Sequence, residues 1–112
     1  METLNITWSY NEFKAYVLIY AAESNQIITE EEKNFIEAQF DTLIIKTIQQ
    51  EIKEDNEYQR IQKIMAYIDQ NNLSKTDLDE LLKEIHEVYL SDGKFDNAEQ
   101  GVFQFLNKLF KM

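Results

Sequence analysis

The sequence has no cysteine, no proline and only two glycines in 112 residues. Without cysteine there is no disulfide, no thiol nucleophile and no thiolate metal site. All-β domains need frequent turn punctuation, so the scarcity of glycine and proline directs the chain to helices. A single histidine, His86, has no second histidine or cysteine with which to build a zinc set. Positive charge is also scarce: 11 Lys and Arg stand against 21 Asp and Glu, a net charge of -10. Phosphate binding needs basic patches, so nucleic acid is not expected as a ligand. Cations, or a protein partner with a basic surface, suit this charge better. The longest apolar run, Ala15 to Ala22, is too short to span a bilayer, so no membrane insertion is expected. The opening "METLNITWSY" has neither the basic region nor the apolar core of a signal peptide, and a cytoplasmic protein is the expectation.

Against these absences, 44% of the residues are hydrophobic, enough to build one core, and residues 1–112 read as a single domain. Six helices follow from periodicity and end signals. Ser9 and Glu12 form a capping box that opens the first helix, which is apolar nearly all round from Tyr16 to Tyr20 and belongs at the centre of the domain. Thr29 and Glu32 form a second box before Phe35, Ile36 and Phe40. Asp41 caps a third helix carrying Leu43, Ile44, Ile45, Ile48 and Ile52, and "EDNE" interrupts that pattern. The fourth helix places Tyr58, Ile61, Met65 and Ile68 on one side. After the loop "QNNLSKT", Ser74 or Thr76 caps a fifth helix with a broad stripe of Leu78, Leu81, Leu82, Ile85, Val88 and Tyr89. Asp96 and Glu99 resemble a box before a sixth helix with Val102, Phe103, Phe105, Leu106, Leu109 and Phe110. Trp8 and Tyr10, at the entry to the first helix, either staple it or leave an apolar patch for a partner. The acidic stretches "EEEK" and "EIKED" read as solvated faces.

The chain also repeats itself. "YAAESNQIITEEEKNFI" and "YLSDGKFDNAEQGVF" share one plan: an apolar helix ending in Tyr, an acid three residues on (Glu23 or Asp92), a short polar loop, a cap, then a glutamate (Glu32 or Glu99) and an aromatic-rich helix. The predicted architecture is an all-α domain of two similar helical hairpins bridged by a helix pair.

Hard cations need several oxygen ligands, preferably carboxylates, gathered from different segments. Asp92, Asp96 and Glu99 lie within eight residues, and Glu23, Glu30, Glu31 and Glu32 add to them if the hairpin tips approach each other. The competing reading is that Asp96 and Glu99 only cap a helix and Gly93 only ends one. No standard EF-hand is present. A loop started at Asp92 has Lys94 at its third position, one started at Glu23 has Ile27 at its fifth, and one started at Asp69 has Leu73 and Ser74 at its fifth and sixth. Ser9, Ser24, Ser74 and Ser91 all fall at helix ends, and no phosphate-cradling loop exists, so a non-enzymatic protein without an organic cofactor is expected.

"SDGKFDNAE" resembles the signature of the TerB-like family, named for a tellurite-resistance protein. The likeness covers the two repeats, about two-thirds of the chain, with Glu23 and Ser24 standing in the first copy where Asp and Gly are usual. It implies an all-helical fold of paired hairpins and a divalent cation, calcium or magnesium by ligand type. It assigns as ligands Asp92 and Glu99 from the second copy, and Glu23 with either Glu31 or Glu32 from the first. It also implies a stress or envelope-linked setting. The alternative expectation is a metal-independent interaction module, in which the acidic surface docks a partner as small immunity or inhibitor proteins do.

Overall fold

The computed structural model describes residues 6–23, 29–91 and 97–111. Six helices follow one another: α1 (Tyr10–Glu23), α2 (Glu30–Glu37), α3 (Thr42–Glu54), α4 (Glu57–Gln70), α5 (Lys75–Leu90) and α6 (Asn97–Phe110). There is no strand among the described residues. The Cα radius of gyration, 13.3 Å, matches the roughly 13 Å of a single compact domain this long.

The helix ends have local causes. Ser9 and Glu12 exchange hydrogen bonds of 3.1 and 2.8 Å across the first turn of α1. Thr29 and Glu32 close a capping box on α2, Asn56 and Gln59 on α4, and Ser74 and Asp77 on α5. Asp41 accepts from the Leu43 N–H and starts α3. Each such cap contributes about 1 kcal/mol. The choice left open between Ser74 and Thr76 goes to Ser74. The proposed Asp96 cap of α6 lies outside the described residues.

α1 is the axis of the domain. Phe13 and every residue from Ala15 to Ala22 are buried, and all five other helices pack against it. This follows from a sequence apolar on every side, which offers no face to water. α5 runs beside α1 in the same direction: Lys14 pairs with Glu84 at 3.0 Å, and one turn from the end the Tyr89 hydroxyl donates to the Ala21 carbonyl at 2.7 Å. α6 runs back along α5, with the rings of His86 and Phe103 5.6 Å apart and Phe110 facing Leu78 and Leu82. α2 and α6 each touch both α1 and α5.

α3 and α4 cover the rest of α1, held by polar contacts that the sequence reading missed. Tyr16 donates to Asp55 at 2.7 Å, Trp8 Nε1 donates to Glu51 at 3.1 Å, and Lys63 Nζ lies 2.9 Å from Glu51 and 2.8 Å from Asp55. Arg60 donates from Nε and Nη2 to the Ile52 carbonyl, occupying the C-terminal end of α3 where a cation is favourable. "EIKED" is therefore not simply a solvated face, since Glu51 and Asp55 are partly buried and engaged. Trp8 is a staple and not an exposed patch: its ring lies 4.5 Å from that of Tyr16.

Two apolar stripes differ from expectation. On α4 the buried residues are Ile64 and Tyr67, with Ile61 and Ile68 beside them, whereas Tyr58 is 70% exposed. Tyr58 precedes Ile64 by six residues, which places it roughly 120° around the helix. On α6 Leu106 and Phe110 are buried, while Phe105 points outward. Leu43 at the start of α3 is likewise exposed.

Candidate cation site

The Tyr89–Ala21 hydrogen bond places the C-terminal ends of α1 and α5 side by side. The loops that lead to α2 and α6 therefore leave from one end of the bundle. Each is short, and each returns to a helix whose third residue is a glutamate: Glu32 in α2 and Glu99 in α6.

These two glutamates are the buried charged side chains of the described structure, at 0% and 2% exposure. Carboxylates are almost never fully buried unless paired. Both glutamates are the third residue of their helix, and both are interior. Glu32 uses one oxygen fully. Its Oε1 accepts from the Thr29 N–H at 3.2 Å and the Thr29 hydroxyl at 3.0 Å, while its own N–H donates to Thr29 Oγ1 at 3.1 Å. Its Oε2 is buried and has no hydrogen-bond partner among the described residues. In other capping boxes of this chain the acid reaches water. Glu12 and Asp77 are half-buried, whereas Glu32, among the capping boxes of the described residues, presents a sequestered second oxygen. The positive end of α2 offsets part of its charge, by about 0.3–1 kcal/mol, less than an orphaned carboxylate oxygen costs.

The remaining candidates separate. Glu31, one residue earlier, is exposed. Of the two register choices, Glu31 or Glu32, only Glu32 faces the interior. Glu23 is the last residue of α1 and lies on the surface, with Arg60 and Lys53 as its charged neighbours. Desolvation by the surrounding protein pushes its carboxyl above the usual range, and the two cations pull it part of the way back. Glu23 therefore leans toward the junction of α3 and α4. Asp92 and Asp96 lie outside the described residues. Among the described residues no three His, Cys, Asp or Glu side chains gather closely enough to hold a metal ion.

Sequence reasoning named Glu32 and Glu99 but not their burial. The signal was available in the repeat itself, which sets each glutamate three and four residues before the next apolar positions of its helix, Phe35 and Ile36 after Glu32 and Val102 and Phe103 after Glu99. His86 is half-buried against Phe103, in keeping with its lone occurrence. No helix among the described residues is long and apolar enough to cross a membrane. No protein-family model matches the chain, and no curated protein or solved structure shows significant similarity to it.

Proposed function

We propose that this chain is a non-enzymatic helical module that takes up a divalent cation at the end of the bundle where α1 and α5 finish. The observation that supports the reading is the buried Oε2 of Glu32, which has no hydrogen-bond partner among the described residues. A carboxylate oxygen shut away from water calls for a proton, a donor or a cation. Glu32 and Glu99 are the interior acids, and Glu23, Glu31, Asp92 and Asp96 are the further carboxylates that the repeat assigns to this end. An all-oxygen set of this kind suits calcium, or magnesium retaining some of its waters. The resemblance to the TerB-like family adds a stress or envelope-linked setting.

Thermal melting with calcium, magnesium or manganese against chelator tests the proposal. A cation that binds only the folded chain adds about 2.7 kcal/mol at a hundredfold excess over its dissociation constant. For a domain of this size that raises the midpoint by about 10 °C. Equal midpoints with every ion and with chelator would reject cation binding.

A second reading is an interaction module that needs no metal. It is favoured by the large apolar side chains left on the surface, Leu43 at 72% and Tyr58 at 70% exposure, amid a strongly acidic chain. A partner with a basic rim and an apolar centre would match them.

A further inference from the structure

At the opposite end of α5 from the candidate cation site lies a second feature. A groove of about 440 Å³ separates the first turns of α5 from the last turn of α6, lined by Lys75, Leu78, Asp79, Leu82, Phe110 and Lys111. Its volume falls in the range of small-molecule sites. The floor is apolar: Leu78, Leu82 and Phe110 keep 6–8% of their surface open, all that remains after the core has taken the rest.

The rim is unusual for this chain. Acids outnumber bases by 21 to 11 over the whole sequence, yet two lysines and one aspartate surround the groove. Neither lysine is held in an ion pair among the described residues, unlike Lys14 and Lys63. Lys75 is the first residue of α5, where a positive side chain is opposed by the helix dipole, so helix formation does not account for it. The backbone adds donors at the same edge. Ser74 takes up the N–H groups of Asp77 and Leu78, through its hydroxyl and carbonyl. The N–H groups of Lys75 and Thr76 have no partner among the described residues, as the first turn of a helix leaves them. Apolar floor, two ammonium groups and two backbone N–H donors, none of them paired among the described residues, thus meet in one place.

We infer that this groove binds an amphipathic anion, a small molecule with a single carboxylate or similar head and an apolar body of about eight carbons. The body lies on Leu78, Leu82 and Phe110. The head sits between Lys75 and Lys111 at the start of α5. Asp79 faces the same space and opposes the head, which limits affinity.

Octanoate is the probe, with octanol and octylamine as partners of the same tail, titrated into the intact chain by calorimetry and by amide chemical shifts. Octanoate binds saturably and shifts the amides of Lys75, Thr76 and Lys111, while octanol and octylamine bind more weakly. The double variant Lys75→Gln, Lys111→Gln weakens octanoate binding by about three- to tenfold, and Asp79→Asn strengthens it by about twofold. All three positions are exposed, so these variants stay folded by circular dichroism, and the lysine variant melts at or slightly above the wild-type midpoint because Lys75 no longer opposes the helix dipole. Equal affinity for octanol, preference for octylamine, or no effect of the lysine variants overturns the inference. So does sedimentation showing that a second copy fills the groove, or binding confined to anionic lipid vesicles.

Discussion

The hydroxyl of Tyr89 donates to the backbone carbonyl of Ala21 at 2.7 Å, inside the protein and across 68 residues of chain. Tyr89 is fully buried and Ala21 is in the last turn of α1. One hydrogen bond therefore aligns the ends of the two parallel helices from which both acidic loops depart. Replacing Tyr89 with Phe keeps the ring and removes the hydroxyl donor from that carbonyl. The expected loss is about 1–3 kcal/mol in urea unfolding, with the slope of the transition unchanged. A loss below a few tenths would mean that water replaces the hydroxyl and that the bond does not fix the alignment.

Glu32 carries the cation reading. Glu32→Gln keeps an acceptor for Thr29 but removes the charge on the buried oxygen. The variant remains folded, and the rise in midpoint on adding calcium or magnesium disappears. Glu31→Gln, at the exposed neighbouring position, retains most of that rise. Equal responses of both variants would place the cation elsewhere.

Alkaline pH loosens the junction of α1, α3 and α4. Desolvation lowers the Lys63 ammonium, but hydrogen bonds to Asp55 and Glu51 and their charges outweigh it, and its pKa is raised on balance. Burial first, then the hydrogen bond to Asp55, raises the Tyr16 phenol well above its ordinary value. For both groups the folded pKa exceeds the unfolded one, so the folded state holds its proton longer. Their stabilising contribution is complete below about pH 10, the unfolded values, and declines as pH rises toward the folded ones. Unfolding monitored by circular dichroism between pH 9 and 12 should show stability falling with pH. Tyr16→Phe combined with Lys63→Met flattens that slope. A slope unchanged in the double variant would assign the alkaline transition to other groups.

On α4 the core runs through Ile64 and not through Tyr58. Ile64→Ala costs about 2–5 kcal/mol, because the side chain is fully buried. Tyr58→Ala changes stability by less than about 0.5 kcal/mol. Comparable losses for the two would return Tyr58 to the buried stripe.

Much of the fold was legible in the residues. The caps at Ser9, Thr29 and Asp41 stand where the sequence placed them, Ser74 is one of the two caps it offered for α5, and the stripe from Leu78 to Tyr89 is buried throughout. Both features are local, since a cap involves residues three apart and a stripe repeats along one helix. The misjudged residues are those where local rules do not decide. Tyr58 and Phe105 are as apolar as their buried neighbours, and only the neighbouring helices determine which side is covered. The candidate site was legible as a repeated pattern of acids. Which glutamates enter the interior was not, because burial depends on what packs over the start of α2 and α6.

The sequence by itself determined six helices, the starts of α1, α2 and α3, the central place of α1 and the acidic character of the surface, because each rests on composition or on interactions within about one helical turn. Tertiary structure alone decided that α1 and α5 lie parallel, that Glu32 is sealed from water, and that Trp8 and Tyr16 reach Glu51 and Asp55 across 43 and 39 residues. Contacts at such separations leave no local pattern. They form because packing an all-round apolar helix requires every other helix to surround it, and the polar groups carried into that interior then pair with whatever they meet.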